Sequence, residues 1–384
     1  MRHHNSVLHG LLKHVPWSRF DELVEEHGAD ARARKLSTKS QFVALLYGQL
    51  AGAVSLREIE TAMASHSARF YHLGAREVSR STLADANAGR SHEVFTGLLR
   101  HMAGALGRGF RRQTAEAVRL IDSTGVRLAG MASQWARFSK GVAGAKAHII
   151  YDPDAEAPLY LEVTPAKVND ITAAQAMPIE PYATYVFDLG YYHYAWWARL
   201  DAAGCRIVTR LKKNTPLALI GERALPQDSP LLYDRIGRLP ERLSSTRQNP
   251  FQRPVREIGV TLDDGKILRV VTNDLFAPAQ EIADLYKRRW AIELFFRWVK
   301  QTLKISHFLG RSENAVRIQI ACALIAYLLL RLANQASKIT DSPLAFARLV
   351  RANLMHRRAL DQLTRPPPPS PTDPRQLTLD LRPA

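Results

Sequence analysis

Tyr286-Lys-Arg-Arg289-Trp-Ala-Ile-Glu293-Leu-Phe-Phe-Arg-Trp-Val-Lys300 is the stretch on which the fold turns. Tyr286, Arg289, Glu293 and Lys300 are separated by three, four and seven residues. At roughly 100° per residue they fall within about 60° of one another on a helix surface. Beside them runs an apolar stripe of Leu285, Ile292, Phe296, Val299 and Leu303, which would anchor the helix on its domain. One face is thus fixed, and its neighbour presents a carboxylate among cations. Pairing of Glu293 with Arg289 or Arg297 on a solvated helix would contribute only about 0.2–0.5 kcal/mol each.

Working outward, two more carboxylates stand next to strand-like runs. Asp122 follows Val118–Ile121, and Asp188 follows Tyr185-Val-Phe, so both are expected at the ends of buried strands, a rigid platform for a site. A single strand-end Asp is ordinarily a turn or cap residue, and these two gain meaning only beside Glu293. In-line phosphodiester chemistry calls for two divalent cations about 4 Å apart, held by oxygen ligands. Asp122, Asp188 and Glu293 offer those ligands from three different elements. Arg289 and Lys300 would then clamp phosphates, and Tyr286 would donate a hydrogen bond or stack. His148 and His193 read as packed or supporting residues, and without a His-x3-His pair there is no support for a zinc hydrolase.

The rest of the chain places this constellation in a mixed α/β protein. Residues 5 to 110 carry apolar side chains at three- and four-residue spacing, as an all-helical region does. Ser55-Leu-Arg-Glu and Ser79-Arg-Ser-Thr open two helices that could form a helix-turn-helix, with Arg80, Thr82, Asn87 and Arg90 toward DNA; an ordinary helical bundle with a polar face stays equally open. Short β-forming runs follow at 117–121, 145–151, 158–163, 185–187 and 206–210, alternating later with helical segments at 170–178 and 191–203. Residues 215–275, rich in Pro, Gly and short β runs, read as an insertion. Helices are expected over 278–304, 312–337 and 343–360, and a Pro-rich tail from 365. Ile320–Leu330 is too short for a membrane span and reads as a buried helix.

Composition agrees with a nucleic-acid partner. Fifty-three Lys and Arg against 36 Asp and Glu give a net charge of +17, spread along the chain rather than gathered in a tail. The two cysteines, Cys205 and Cys322, lie in apolar runs, which excludes a disulfide framework or a Cys-based zinc site. With no secretory leader pattern, a cytoplasmic, nucleoid-associated bacterial protein without a membrane partner is expected.

The spaced quartet Tyr286, Arg289, Glu293 and Lys300 resembles the Tyr-x2-Arg-x3-Glu-x6-Lys motif of transposases of the insertion sequence 4 family. Asp122-Ser-Thr-Gly, Gly144-Ala-Lys-Ala-His148, Asp188-Leu-Gly-Tyr191 and Thr209-Arg-Leu-Lys212 resemble that family too, over about 115–335. Ser55-Leu-Arg-Glu and Ser81-Thr-Leu-Ala-Asp-Ala-Asn87 extend the likeness more weakly into the helical region. Lys146, Arg210 and Lys212 join the DNA-binding candidates on this basis.

The resemblance implies a helical DNA-binding domain over 1–110, a ribonuclease H-like core over 111–214 and 276–340, a β insertion over 215–275, and a C-terminal helix over 341–364. It further implies two Mg2+ ions, with Mn2+ as a substitute, on Asp122, Asp188 and Glu293. Cut-and-paste transposition at terminal inverted repeats follows, with a hairpin intermediate and a homodimer acting in trans on paired DNA ends. Members that flip a base stack it on an aromatic from the insertion. Here 215–275 contains no Trp, only Tyr233 and Phe251, so base flipping is not implied. A nuclease or resolvase without strand transfer and a catalytically idle DNA-binding regulator are the alternatives. In the tail 365–384, Gln376-Leu377-Thr-Leu379-Asp-Leu381 resembles the peptides that dock on the bacterial sliding clamp, against an equal reading as a disordered end.

Overall fold

A computed structural model describes residues 5–111, 116–128, 134–139, 142–244, 247–262, 264–303 and 308–364. The N-terminal periodicity is realised as helices α1 (Val7–Leu12), α2 (Trp17–Glu26), α3 (Thr38–Ala51), α4 (Leu56–Ser65), α5 (Ser67–His72), α6 (Arg80–Gly89) and α7 (Glu93–Arg111). Their starts are set by side-chain caps. Ser55 accepts from the Glu58 amide at 3.2 Å while the Glu58 carboxylate reaches back to the Val54 amide at 2.9 Å, and Ser79 caps α6 through the Thr82 amide. Both cap assignments agree with the sequence.

Beyond them the chain alternates. Strands β1 (Val118–Arg127), β2 (Arg137–Ser139), β3 (Val142–Asp152) and β4 (Ala157–Pro165) precede α8 (Asp170–Ala176), β5 (Thr184–Val186), α9 (Tyr194–Ala202) and β6 (Arg206–Arg210). β3 pairs antiparallel with β1 on one side and with β4 and β2 on the other, whereas β1, β5 and β6 are parallel neighbours. An antiparallel meander followed by two parallel strands beside the first is the ribonuclease H-like arrangement.

Residues 215–275 are a run of β-strands between β6 and the helices that lead to Glu293, and they join the core sheet. After β7 (Ala218–Glu222), β8 (Leu231–Arg238), and the small pair β9 (Arg242–Ser244) and β10 (Arg247–Gln248), β11 (Val255–Thr261) leads to β12 (Ile267–Thr272). β12 lies antiparallel on β6, with Val271 opposite Thr209, so the core sheet continues through β12, β11, β8 and β7 to ten strands. The physical reason is the exposed edge that β6 would otherwise offer. The buried pair Arg256–Asp234, with two contacts of 2.7 Å, and Arg269 gripping Glu257 at 2.7 and 2.8 Å tie this extension together.

The expected helix over 278–304 is two: α10 (Ala279–Arg288) and α11 (Trp290–Thr302). Arg289 forms the break, its amide bonded to Tyr286 O at 3.1 Å and its carbonyl receiving the Ile292 amide at 3.2 Å, a tighter turn than the α-helical one. α12 (Glu313–Ser337) and α13 (Pro343–Asn353) complete the fold, the latter shorter than the 343–360 expected. α12 is long and apolar enough to cross a membrane by composition, yet 83% of its most apolar window is buried inside the protein. It packs against α3, α6, α7 and β4, so the helical region and the sheet share one core.

Candidate active site

Asp122 lies inside β1 rather than at its end, because the hairpin with β3 prolongs the strand to Arg127. What ends there is the pairing with β5, which runs only from Val118↔Thr184 to Leu120↔Val186. Two residues further along each strand come Asp122 and Asp188, so the parting of two parallel strands puts both carboxylates in one opening. Asp188 closes it locally, accepting from the Gly190 amide at 2.7 Å as cap of the turn Leu189–Tyr191.

Glu293 arrives from α11, whose stripe residues Ile292, Phe296 and Val299 are buried as expected, with Leu303 just beyond. Arg289 sits between the elements: its guanidinium is 2.5 Å from Glu293 Oε1 and 3.6 Å from Asp122 Oδ2, and its Nε has no acceptor among the described residues. Burial raises the Asp122 pKa to about 6; the Ser123 amide and Arg289 oppose this, and Asp188 and Glu293 add to it. The three carboxylates are therefore electrostatic neighbours. Among the described residues no three acidic, His or Cys groups converge closely enough to hold a metal ion as they stand. The donor chemistry suits a hard divalent cation, and the guanidinium supplies part of the positive charge the cluster demands.

Lys300 stands near Asp122, its pKa lowered by burial against the pull of that carboxylate. Tyr286 is buried rather than displayed, and its ring lies 5.9 Å from the Arg289 guanidinium. Its surroundings include Arg210 and Asp188, which brings Arg210 from the end of β6 to the same opening. Lys212 is exposed, with its ammonium 4.7 Å over the Tyr192 ring.

Other sequence candidates fall elsewhere. Asn87 is buried and accepts from Gln41 at 2.8 Å, and Arg90 is bonded to Gln41 Oε1 at 3.0 Å and to the Leu36 carbonyl. Both lock α6 onto α3 and are not available to a groove. Arg80 is exposed, and Thr82 is half-buried with its hydroxyl 2.8 Å from the capping Ser79. Lys146 lies 3.0 Å from both Asp170 Oδ1 and the Val168 carbonyl.

His148 is fully buried, 2.8 Å from Thr164 Oγ1, with burial lowering its pKa to about 4; His193 caps α9 through the Trp196 amide at 3.2 Å. Tyr233 lies against Gly259 with its hydroxyl 2.8 Å from Glu257, and Phe251 is buried against Trp197, so neither ring is free to stack on a base. Gln376, Leu377, Leu379 and Leu381 lie outside the described residues. Asp170 was not legible as a site residue: an acidic residue opening a helix is commonplace, and only the structure brings it beside Ser123 and Gly190.

The sheet order and its acidic opening define a ribonuclease H-like protein of the kind that works on nucleic-acid phosphodiesters. A family model described as Transposase DDE domain matches residues 113–329, more than half of the chain, and the protein belongs to that family, as an insertion-sequence transposase of the insertion sequence 4 type. A second model, a domain of unknown function (DUF4372), matches residues 3–76. The chain is 42% identical over 290 residues to the transposase y4zB of Sinorhizobium fredii, covering 76% of this chain and 81% of that protein. It is 32% identical over 253 residues to the transposase for insertion sequence element IS5377 of Geobacillus stearothermophilus, covering 64% of each. Among solved structures, the piggyBac transposase synaptic complex with hairpin DNA aligns at a TM-score of 0.47 and 11% identity, over 91% of this chain and 80% of that one.

Proposed function

We propose that the protein excises a DNA element by metal-dependent cleavage at its terminal inverted repeats and joins the freed ends to target DNA, a cut-and-paste reaction. The observation that carries this reading is the opening between β1 and β5, where Asp122, raised to about 6, meets Asp188, Glu293 and the bridging Arg289. Asp122, Asp188 and Glu293 would hold two Mg2+ ions, with Mn2+ as a substitute. When bound, the ions supply an activated nucleophile and charge neutralisation for in-line displacement.

The chain's own residues do the rest. Glu293 holds Arg289 through Oε1 and would serve an ion through its carboxylate, and a guanidinium relieved of that contact would offer a bidentate partner for a phosphate. Lys300, Arg210 and Lys212 extend that cationic edge along the DNA backbone, while Tyr286 packs beneath Arg289 and orients it. Arg80 and Thr82 at the start of α6 would meet DNA outside the carboxylate opening. A homodimer on paired ends would supply each site with its substrate, and the peptide Gln376–Leu381 would tether the enzyme to a sliding clamp. A pull-down by purified clamp that is lost with Leu379→Ala and Leu381→Ala tests the tether.

Purified protein incubated with Mg2+ and a plasmid carrying the flanking inverted repeats should yield an excised fragment and a joined product, both absent with Glu293→Ala. Cleavage without joining would make it a nuclease or resolvase, and binding alone an idle regulator. Cleavage that persists in Glu293→Ala would overturn the site.

A further inference from the structure

Behind the opening lies a fourth carboxylate. Asp170, the first residue of α8, accepts from the Ser123 hydroxyl at 2.8 Å and from the Lys146 ammonium at 3.0 Å, both through Oδ1, and His148 Nδ1 is 3.8 Å from the same oxygen. Its Oδ2 faces Gly190. A methyl group at Gly190 would sit 3.2 Å from Asp170 Oδ2 and 3.0 Å from Asp188 Oδ1, so both carboxylates close on one point with no room for a side chain. Asp170 thereby touches the residue after Asp122 on β1, two residues of β3, and the turn that begins at Asp188.

A second observation points into the same pocket. Tyr191 is fully buried, and its phenol lies within the fields of Asp122, Asp170 and Asp188. Ser123 links the two, its hydroxyl directed to Asp170 at 2.8 Å and close enough to act on the Tyr191 phenol. Asp170, Ser123 and Tyr191 thus pack as one polar group directly behind Asp122 and Asp188.

We propose that Asp170 is a positioning residue of the carboxylate site, bracing the Asp122 strand through Ser123 and the Asp188 turn through Gly190, so that the two aspartates are spaced for a hydrated divalent cation. Oriented carboxylates lose affinity when the groups behind them are removed, typically by about 10–100-fold. This rests on the metal reading above, and the test separates the two.

The probe is Mn2+ alone, titrated into the full-length protein without DNA and followed by electron paramagnetic resonance. Asp170→Ala should weaken Mn2+ binding by about 10–100-fold. Asp170→Asn keeps an acceptor for Ser123 and should restore affinity to within a few-fold of wild type. Ser123→Ala, which removes one brace with little risk to folding, should also weaken binding, and so should Gly190→Ala, which pushes the two carboxylates apart. Wild-type affinity in Asp170→Ala or Ser123→Ala would overturn the proposal and leave the metal reading intact. Asp170→Asn as weak as Asp170→Ala would also overturn it, because the charge itself would then be acting as a ligand. A wild-type protein that binds no Mn2+ would remove both.

Discussion

Replacing Asp122 by Asn should stabilise the metal-free protein. The carboxyl is pushed from an ordinary 3.8 to about 6, chiefly by burial, so ionising it in the folded protein is harder than in the unfolded chain. The sign follows directly: a folded-state pKa above the unfolded one means no penalty below about pH 4, a growing one between about 4 and 6, and the full penalty above about 6. At about 1.4 kcal/mol per pH unit the penalty is on the order of 3 kcal/mol at pH 7.5. Asn keeps the acceptor for the Ser123 amide, which is 2.7 Å from Asp122 Oδ1, and carries no charge. In a chelator, Asp122→Asn should therefore melt a few degrees above wild type at pH 7.5 and level with it at pH 4. Adding Mg2+ should raise the wild-type transition and leave the variant almost unmoved, since a cation favours the ionised form that Asn lacks. Equal melting temperatures at pH 7.5 in chelator would refute the electrostatic reasoning, as would an advantage that is largest at pH 4.

Arg80→Ala should weaken DNA binding and reduce its salt dependence by about one counterion, seen in fluorescence anisotropy at several salt concentrations. Asn87→Ala should leave the affinity of the folded fraction unchanged and lower stability by about 1–3 kcal/mol, because it strands the buried Gln41 amide. Asp234→Ala should be worse, about 3–5 kcal/mol in urea unfolding, since it leaves the Arg256 guanidinium buried without its carboxylate. A loss below 1 kcal/mol would mean that water reaches Arg256.

Much of this molecule could be read from its residues, for physical reasons that also mark where reading stopped. The apolar stripe Ile292, Phe296 and Val299 is local periodicity, and local periodicity survives folding. The break at Arg289 is not periodic: neither Gly nor Pro announces it, and it coincides with a buried Tyr286 and an Arg289 that reaches Glu293 and Asp122. Asn87 and Arg90 looked like groove contacts because polarity on a helix says nothing about what lies opposite; here it is Gln41 of α3, 46 residues from Asn87. The sheet extension was hidden for a similar reason, since pairing β12 with β6 joins segments about 60 residues apart and leaves no mark on either strand alone. Asp122 and Asp188 were legible as a pair only in company with Glu293.

Because α12 packs on α6 and α7 and on the sheet within one core, the distance from α6 to the Asp122 opening is fixed by folding rather than set by a hinge. On the proposed reading, such a molecule would measure DNA as well as cut it: the gap between the contacts of α6 and the phosphodiester reaching Asp122 would have one permitted length. Adding about five base pairs within the terminal repeat, half a helical turn, would carry the scissile bond to the far side of the duplex. Element ends would then be under selection for their phase as strictly as for their sequence.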